Sequence, residues 1–223
     1  MPEQSGNDTP RPQLVVSGDE SIVQIAYLSD GRVVTESRSG VRVWNLQSGE
    51  QEASIEHEDE IVSFAVTQDG AKIIISDYGG GIKVWDAESH QLVKVWTHKE
   101  QPAIAISPDD QLIAAGGRTV GIYTTEGERV KSIEVRGGVR SLCFSPDGNK
   151  LACGTFDDIH IYDVETGTLV LGPLEGHDDA VTDVLWSRDG RRLFSTSLDE
   201  TIRCWNSGRE NKLDNRGHVT PTG

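Results

Sequence analysis

The chain has 223 residues, a formal net charge of −15 and 35% hydrophobic residues, which suffices for one domain or for an array of small units with a shared core. The negative charge argues against a nucleic-acid backbone as the main ligand, because neutralising phosphates requires a basic face. The N-terminal MPEQSGNDTPRPQ lacks the apolar segment of a secretory signal, and no apolar run reaches the roughly 20 residues of a membrane helix.

The glycine, proline and cysteine residues add two expectations. The 24 glycines and 8 prolines favour short strands joined by tight turns. Cys143, Cys153 and Cys204 lie in apolar, strand-like runs without the spacing of a disulfide framework. We therefore expect reduced, buried thiols in a cytoplasmic or nuclear protein.

Two markers recur through the chain about every forty residues. Asp-Gly-type turns occur in LSDG, TQDG, SPDD, SPDG and SRDG, and each is followed by an aromatic residue: Trp44, Trp85, Tyr123, Tyr162 and Trp205. Markers that stay in step indicate an internal repeat. We predict five repeats near 18–56, 57–97, 98–136, 137–175 and 176–206, with a disordered tail over 1–12 and a strand remnant and tail over 207–223.

Each repeat follows the same plan, from IVQIAYLS in the first to VTDVLWSR in the last. That run alternates apolar and polar residues before the Asp-Gly turn, as a strand does. A second apolar run follows the turn, a third ends in the aromatic residue, and a weaker fourth run closes the repeat. The pattern predicts an all-β protein with four short antiparallel strands per repeat. One such sheet cannot bury both faces alone, so the repeats are expected to stack.

These sequences resemble the WD40-repeat β-propeller family. The resemblance rests on VTDVLWSRDG, on the endings IKVWD and IRCWN, and on Gly176-His177 before the last repeat, and it spans about 13–218. It implies radial four-stranded antiparallel blades around a central channel. It also implies a scaffold for contacts between proteins.

The number of repeats raises the question of ring closure. Five are visible, whereas seven is the commonest number in the family. Pro12–Ser17 resembles the strand that completes the last blade in the family, and Arg216–Thr220 resembles the start of a sixth repeat. We favour a partial or incomplete ring, with a closed five-blade ring and completion by another chain as alternatives. An unclosed edge would permit self-association.

The resemblance implies a structural hydrogen-bond network in the last repeat, comprising His177, Ser197, Asp199 and Trp205. A hydrolase triad would need an exposed nucleophile near an oxyanion hole, but we expect Ser197 to lie mid-strand beside Trp205, and no nucleophile-elbow turn is present. The earlier repeats lack one or more members of this set. We therefore interpret it as a structural clamp and not as a catalytic site.

Other chemical sites are not indicated by the sequence. The six histidines are dispersed and form no set with metal-ligand spacing. Gly79–Gly81 lacks the Lys-Ser/Thr that follows a phosphate-binding loop. We expect no catalytic residue, no cofactor and no metal ion.

In propellers of this type, the residue before the turn Asp of each blade is exposed at one rim. The corresponding positions are Arg38, Tyr78, Arg118, Phe156 and Leu198. Aromatic residues and arginine are the types that anchor interfaces. We expect a non-catalytic scaffold that binds other proteins or peptides through this rim, with no contact to nucleic acid or membrane. The alternatives are a C-terminal fragment of a signalling or sensor repeat protein, and a propeller enzyme with a site at the channel mouth.

Overall fold

The computed structural model describes residues 22–37, 40–98, 100, 102–156 and 158–207. The predicted tails, the Pro12–Ser17 strand, Arg216–Thr220 and the rim residue Arg38 lie outside these residues. Within the described ranges, no helix is long and apolar enough to cross a bilayer.

The described chain forms five successive antiparallel sheets, which we call blades one to five. Blade one contains β1 (Gln24–Tyr27), β2 (Arg32–Ser37), β3 (Gly40–Asn45) and β4 (Gln51–Glu56). Blade two contains β5 (Ile61–Val66), β6 (Lys72–Asp77), β7 (Gly81–Asp86) and β8 (Leu92–Thr97). Blade three contains β9 (Ala103–Ile106), β10 (Leu112–Gly116), β11 (Thr119–Thr124) and β12 (Arg129–Glu134).

The last two sheets complete the set. Blade four contains β13 (Ser141–Phe144), β14 (Lys150–Gly154), β15 (Ile159–Asp163) and β16 (Leu169–Leu174). Blade five contains β17 (Val181–Trp186), β18 (Arg192–Ser197) and β19 (Ile202–Asn206). Consecutive strands are neighbours in every sheet, so each blade is a simple meander. The fold is the all-β propeller expected from the repeat, with three strands of blade five among the described residues.

The recurrent Asp-Gly turn joins the first two strands of a blade, and a serine and an aspartate stabilise it. In blade five, Ser187 Oγ donates a hydrogen bond to Asp189 Oδ1 (2.6 Å), and the same carboxylate oxygen accepts from Arg191 N (3.0 Å). These hydrogen bonds hold the pKa of Asp189 below its usual value. Gly190 has φ of +67°, a conformation that glycine adopts without steric cost. Local hydrogen bonding thus explains why this turn sequence recurs.

Four hydrophobic clusters form the core, and each one joins two neighbouring blades. Between blades one and two, for example, Val41 and Val43 pack with Phe64 and Ile73. In the second strands of blades two to four, alternate residues therefore contact the preceding blade and the following blade. This arrangement confirms that the repeats bury their faces by stacking on one another.

One face of blade one and one face of blade five are not covered by a neighbouring blade, and their apolar residues are exposed. Ile25 of blade one is 67% exposed, whereas its equivalent Phe64 in blade two is 4% exposed. Ile202 of blade five is 75% exposed, whereas its equivalent Ile159 in blade four is fully buried. Blades one and five therefore do not pack on each other through these faces.

The same uncovered face corrects one expectation about the cysteines. Cys153 is buried and Cys143 is half-buried, but Cys204 is exposed because it shares the uncovered face of blade five with Ile202. All three cysteines are unpaired.

Candidate functional site

The hydrogen-bond network of blade five is buried between its strands and the loop that precedes it. His177 Nδ1 lies 2.8 Å from Asp199 Oδ2, and His177 Nε2 lies 2.7 Å from Ser195 Oγ. Trp205 Nε1 donates to Ser195 Oγ at 2.8 Å. Because an ionised carboxylate only accepts, His177 carries its proton on Nδ1, Ser195 donates to Nε2, and the Ser195 oxygen accepts from the indole.

The serine of this network is Ser195, and the prediction of Ser197 was wrong. Trp205 pairs with Leu193 across β18 and β19, so the residue two positions further along β18 lies beside the indole. That residue is Ser195. Ser197 lies at the strand end, where its Oγ donates to the carbonyl of Asp179 (2.8 Å) and accepts from Asp199 N (3.1 Å).

The Asp199 carboxylate is the most heavily hydrogen-bonded member of the network. Burial opposes its ionisation, but hydrogen bonds from Thr201 and His177 outweigh that effect and hold the pKa of Asp199 far below its usual value. Thr201 contributes both its hydroxyl (2.6 Å) and its backbone N–H (2.9 Å). A carboxylate that stays ionised keeps the histidine in the tautomer that the network requires.

Blade two has a carboxylate at a different position, near its histidine but not hydrogen-bonded to it. Gly79 stands where Asp199 stands in blade five, but Asp77 turns its buried side chain into the hairpin and accepts from Gly81 N (2.7 Å). Its Oδ2 lies 3.8 Å from His57 Nε2 and 3.6 Å from Lys83 Nζ. A Cβ on Gly81 would lie 2.6 Å from this oxygen, so glycine makes room for the carboxylate.

Blades three and four use tyrosine in place of tryptophan. His98 Nδ1 lies 2.9 Å from the Tyr123 hydroxyl, and burial lowers the pKa of His98. His160 Nδ1 lies 3.1 Å from Asp158 Oδ1, without the alignment of a hydrogen bond. Asp157, which occupies the position of Asp199 in blade four, lies outside the described residues.

The indole of Trp85 in blade two has no hydrogen-bond acceptor among the described residues. In blade one, Thr35 Oγ1 accepts from Trp44 Nε1 (2.8 Å), but the equivalent position in blade two is Ile75. We expect Ile75→Thr to lower the free energy of unfolding by about 1–3 kcal/mol less than Ile73→Thr does. The hydroxyl at position 75 would accept a hydrogen bond from the Trp85 indole N–H, whereas the hydroxyl at position 73 would not. Urea unfolding of both variants measures this difference, and equal losses would contradict it.

The predicted rim residues lie in the hairpins between the second and third strands. Tyr78, Phe156 and Leu198 are 55%, 53% and 57% exposed, and Arg118 is also exposed. Backbone hydrogen bonds anchor these hairpins: Tyr78 N donates to Glu60 O (2.9 Å), and Leu198 N donates to Ala180 O (3.0 Å). The hairpins therefore present these side chains outward from a fixed backbone.

A groove of about 510 Å³ opens on this rim between blades two, three and four. Tyr78, Glu100 and Arg118 line it, together with Val139 and the four glycines Gly79, Gly80, Gly117 and Gly138. Gly79 is exposed and Gly138 is half-buried, whereas Gly80 and Gly117 are buried against His98 and Glu100. We call this groove and the adjoining Phe156 the groove rim.

The structure gathers three of the predicted residues and leaves one apart. Tyr78 and Arg118 line the groove, and Phe156 adjoins it, since a Cβ on Gly138 would lie 3.2 Å from the Phe156 ring. Leu198 belongs to blade five and does not line the groove.

Two charged residues near this rim were not predicted from the sequence: Glu100 lines the groove, and Arg140 lines the channel cavity and contacts Phe156. Arg140 places its guanidinium carbon 4.9 Å from the centroid of the Phe156 ring, an arrangement that favours a cation over an aromatic face. Glu100 accepts a hydrogen bond from Arg118 N. Both residues lie in loops that lead into a new blade. In the sequence, the position of Arg140 near Gly137-Gly138 was the feature that could have identified it as a candidate.

A second cavity of about 1240 Å³ follows the central channel and is lined by the first strands of the blades. Its side chains include Glu36, Glu60, Arg140 and Asp183. Asp183 Oδ1 accepts from Ser141 Oγ (2.7 Å), which links blades four and five. Over the described part of the chain, no three His, Cys, Asp or Glu residues are grouped so as to hold a metal ion.

Glu36→Gln is expected to stabilise the protein at pH 8 and to have little effect at pH 5. Burial raises the pKa of Glu36 from 4.5 to about 7, so the native state binds more protons than the unfolded state between these values. As the pH rises from 4.5 to about 7, ionisation of Glu36 is disfavoured in the folded protein, and the free energy of unfolding falls. Glutamine does not ionise and avoids this loss. We expect a gain of about 1–2 kcal/mol at pH 8, allowing for screening by channel water.

Urea unfolding at both pH values measures this effect, with Glu60→Gln on an exposed channel residue as the control. The same gain from Glu36→Gln at pH 5 and pH 8 would contradict the assignment of the pKa shift to burial.

Comparison with known proteins agrees with the geometry. The family model described as "WD domain, G-beta repeat" matches residues 127–159 and 168–206, in blades three to five. The chain belongs to the WD40-repeat family. Its blades one and two extend the same repeat to parts of the sequence that the family model does not match.

Several curated relatives of this WD40 chain are similar over most of its length. Small ribosomal subunit protein RACK1y of Oryza sativa subsp. japonica is 32% identical over 156 residues, which is 65% of this chain and 46% of the relative. WD repeat-containing protein SL1-17 of Schistosoma mansoni is 34% identical over 160 residues, 67% of this chain and 51% of the relative. Autophagy-related protein 16 of Arabidopsis thaliana is 27% identical over 187 residues, 76% of this chain and 36% of the relative. The WD40 chain spans about half the length of the first two.

Proposed function

We propose that this WD40 chain is a non-catalytic scaffold that binds other proteins or peptides through the groove rim. The observation that carries the proposal is that Tyr78 and Arg118 line one groove and that Phe156 adjoins it. Aromatic and arginine side chains are the types that anchor interfaces, and aromatic side chains on a rigid backbone lose little conformational entropy on binding.

A non-catalytic role is supported by the environment of His177, Ser195 and Asp199. Among the described residues, these form the only His-Ser-Asp set joined by hydrogen bonds. Ser195 is buried, and both His177 and Trp205 already engage its hydroxyl. A nucleophile must be accessible to its substrate, and this hydroxyl is not. The residues serve the packing of blade five.

The proposal includes two further aspects of the protein. We place it in the cytoplasm or the nucleus, which is supported by its unpaired cysteines. We also propose self-association through the uncovered faces of blades one and five, which is supported by the exposure of Ile25 and Ile202.

The scaffold proposal is tested by the triple variant Tyr78→Ala, Arg118→Ala and Phe156→Ala. The tagged wild-type and variant chains are used to recover partners from cells, and bound proteins are quantified by mass spectrometry. We expect at least one partner of the wild type to be depleted more than tenfold with the variant, because each truncated anchor costs about 1 kcal/mol or more.

A control variant separates partner loss from misfolding. Gln47→Ala, Glu88→Ala and Arg188→Ala remove three exposed side chains from the turns at the opposite end of the blades. Both triple variants should melt at the wild-type temperature. Unchanged recovery of every partner by the groove-rim variant would refute the proposed role of this surface.

A further inference from the structure

The described junctions between neighbouring blades are all built on the same five positions. One residue of the second strand and two of the third strand in one blade pack with one residue of the first strand and one of the second strand in the next blade. At the junction of blades four and five, these residues are Ala152, Ile159 and Ile161 on one side and Val184 and Leu193 on the other. All five positions are apolar at each of the four junctions.

The uncovered faces of blades one and five carry the two halves of one more such junction. The strand pairing places Phe194, Ile202 and Cys204 of blade five at the three positions that precede a junction. It places Ile25 and Val33 of blade one at the two positions that follow a junction. All five residues are apolar, as they are where blades pack within the chain, and Ile25, Ile202 and Cys204 are exposed.

Two further exposed residues, Tyr27 of blade one and Leu185 of blade five, extend these faces. They occupy the positions of Trp186 and Cys143, and Trp186 Nε1 donates to Cys143 O across the junction of blades four and five (3.1 Å). Stacked-repeat proteins need a polar outer face on their terminal repeats to stay soluble, because an open apolar face favours association. The two outer faces of this chain instead keep the residue types of a junction.

We propose that the uncovered face of blade five in one copy of the chain packs on the uncovered face of blade one in a second copy. Ile202 and Cys204 of one copy then lie against Ile25 and Val33 of the other, as in the junctions within the chain. A second copy is the occupant because each chain carries both halves of the junction and leaves both exposed. Such a head-to-tail contact leaves one face of each kind uncovered until a ring closes. The contact rests on the self-association proposed above and adds its two surfaces and their polarity.

Two single substitutions test the polarity of the contact. Ile202→Asp places a carboxylate on the face of blade five and leaves blade one intact, and Ile25→Asp does the reverse. Either carboxylate would be buried without a partner by the contact, whereas both positions are exposed in the single chain. Both variants should therefore melt at the temperature of the dilute wild type.

Sedimentation velocity over an about hundredfold range of concentration measures the assembly. We expect the wild type to associate as its concentration rises and each variant alone to remain a single chain. An equimolar mixture of the two variants should form complexes of twice the mass of one chain, because one intact face of each kind remains. Leu198→Asp, which changes an exposed apolar residue at the rim of blade five, is the control and should associate as the wild type does.

The head-to-tail contact is overturned if the wild type stays a single chain at every concentration, if either variant alone associates as the wild type does, or if the mixture stays as single chains. Association of one variant alone would retain self-association and reject its polarity, whereas a wild type that never associates rejects both. The recovery of partners by the groove-rim variant is a separate measurement, so each of these results leaves the scaffold role to its own test.

Discussion

Ser195→Ala is expected to lower the free energy of unfolding by about 2–3 kcal/mol. The substitution leaves the Trp205 indole N–H without an acceptor and His177 Nε2 without a donor, and both hydrogen bonds are partly buried. A buried polar group that loses its partner costs about 1–3 kcal/mol. Water has little access to replace the hydroxyl, because the His177 side chain is only 1% exposed.

Two other substitutions serve as controls for Ser195→Ala in urea unfolding. Ser197→Ala removes hydrogen bonds at the exposed strand end, where water can replace them, so a loss below about 1 kcal/mol is expected. Ser195→Thr keeps the hydroxyl that Thr35 supplies in blade one and should retain most of the stability. Equal losses for Ser195→Ala and Ser197→Ala would contradict the network described above.

Gly80→Ala is expected to cost about 3 kcal/mol of unfolding free energy and to distort the groove. Gly80 has φ of +80°, which disfavours alanine by about 1–2 kcal/mol. A Cβ there would also collide with the backbone carbonyl oxygen of His98, which cannot rotate away as a side chain does. His98 N donates to Gly80 O (2.8 Å), so a shift would disturb the junction between blades two and three.

Gly79→Ala is the matched control, because the neighbouring glycine has no positive φ. Its Cβ would lie 3.2–3.3 Å from the carboxylate oxygens of Asp59 and Asp77, and the exposed Asp59 can adjust. We expect a loss below about 1 kcal/mol. Thermal unfolding of the two variants compares them, and a similar melting temperature would show that the Gly80 backbone tolerates a side chain.

The strand architecture was predictable from the sequence because it depends on local periodicity. Alternating apolar residues in IVSFAV or VTDVLW specify two-faced strands, and the forty-residue spacing specifies how many sheets follow one another. Burial between blades then follows, since each sheet has two apolar faces.

The identity of the network serine was not predictable from spacing alone. Ser195 and Ser197 lie on the same face of β18, and only the pairing of Trp205 with Leu193 decides which one adjoins the indole. The carboxylate of blade two is a similar case. Asp77, and not the residue at Gly79, brings a carboxylate into the hairpin of blade two, which the order of residue types does not reveal.

The groove rim was predictable in part. The hairpin position identified Tyr78, Arg118 and Phe156, but the contact between Phe156 and Arg140 joins a hairpin to the loop that leads into the same blade. Leu198 was selected by the same rule and lies apart from the groove, because the groove is formed by blades two to four.

Hydrogen–deuterium exchange of the full chain, with and without a partner recovered by the pull-down, tests the role of the groove rim most directly. We expect slower exchange on binding in segments 77–81, 116–119 and 137–141. Exchange in the turns 46–50 and 187–191 at the opposite end of the blades should not change. Protection confined to those turns, or to the uncovered faces of blades one and five, would contradict the proposal that partners bind at the groove rim.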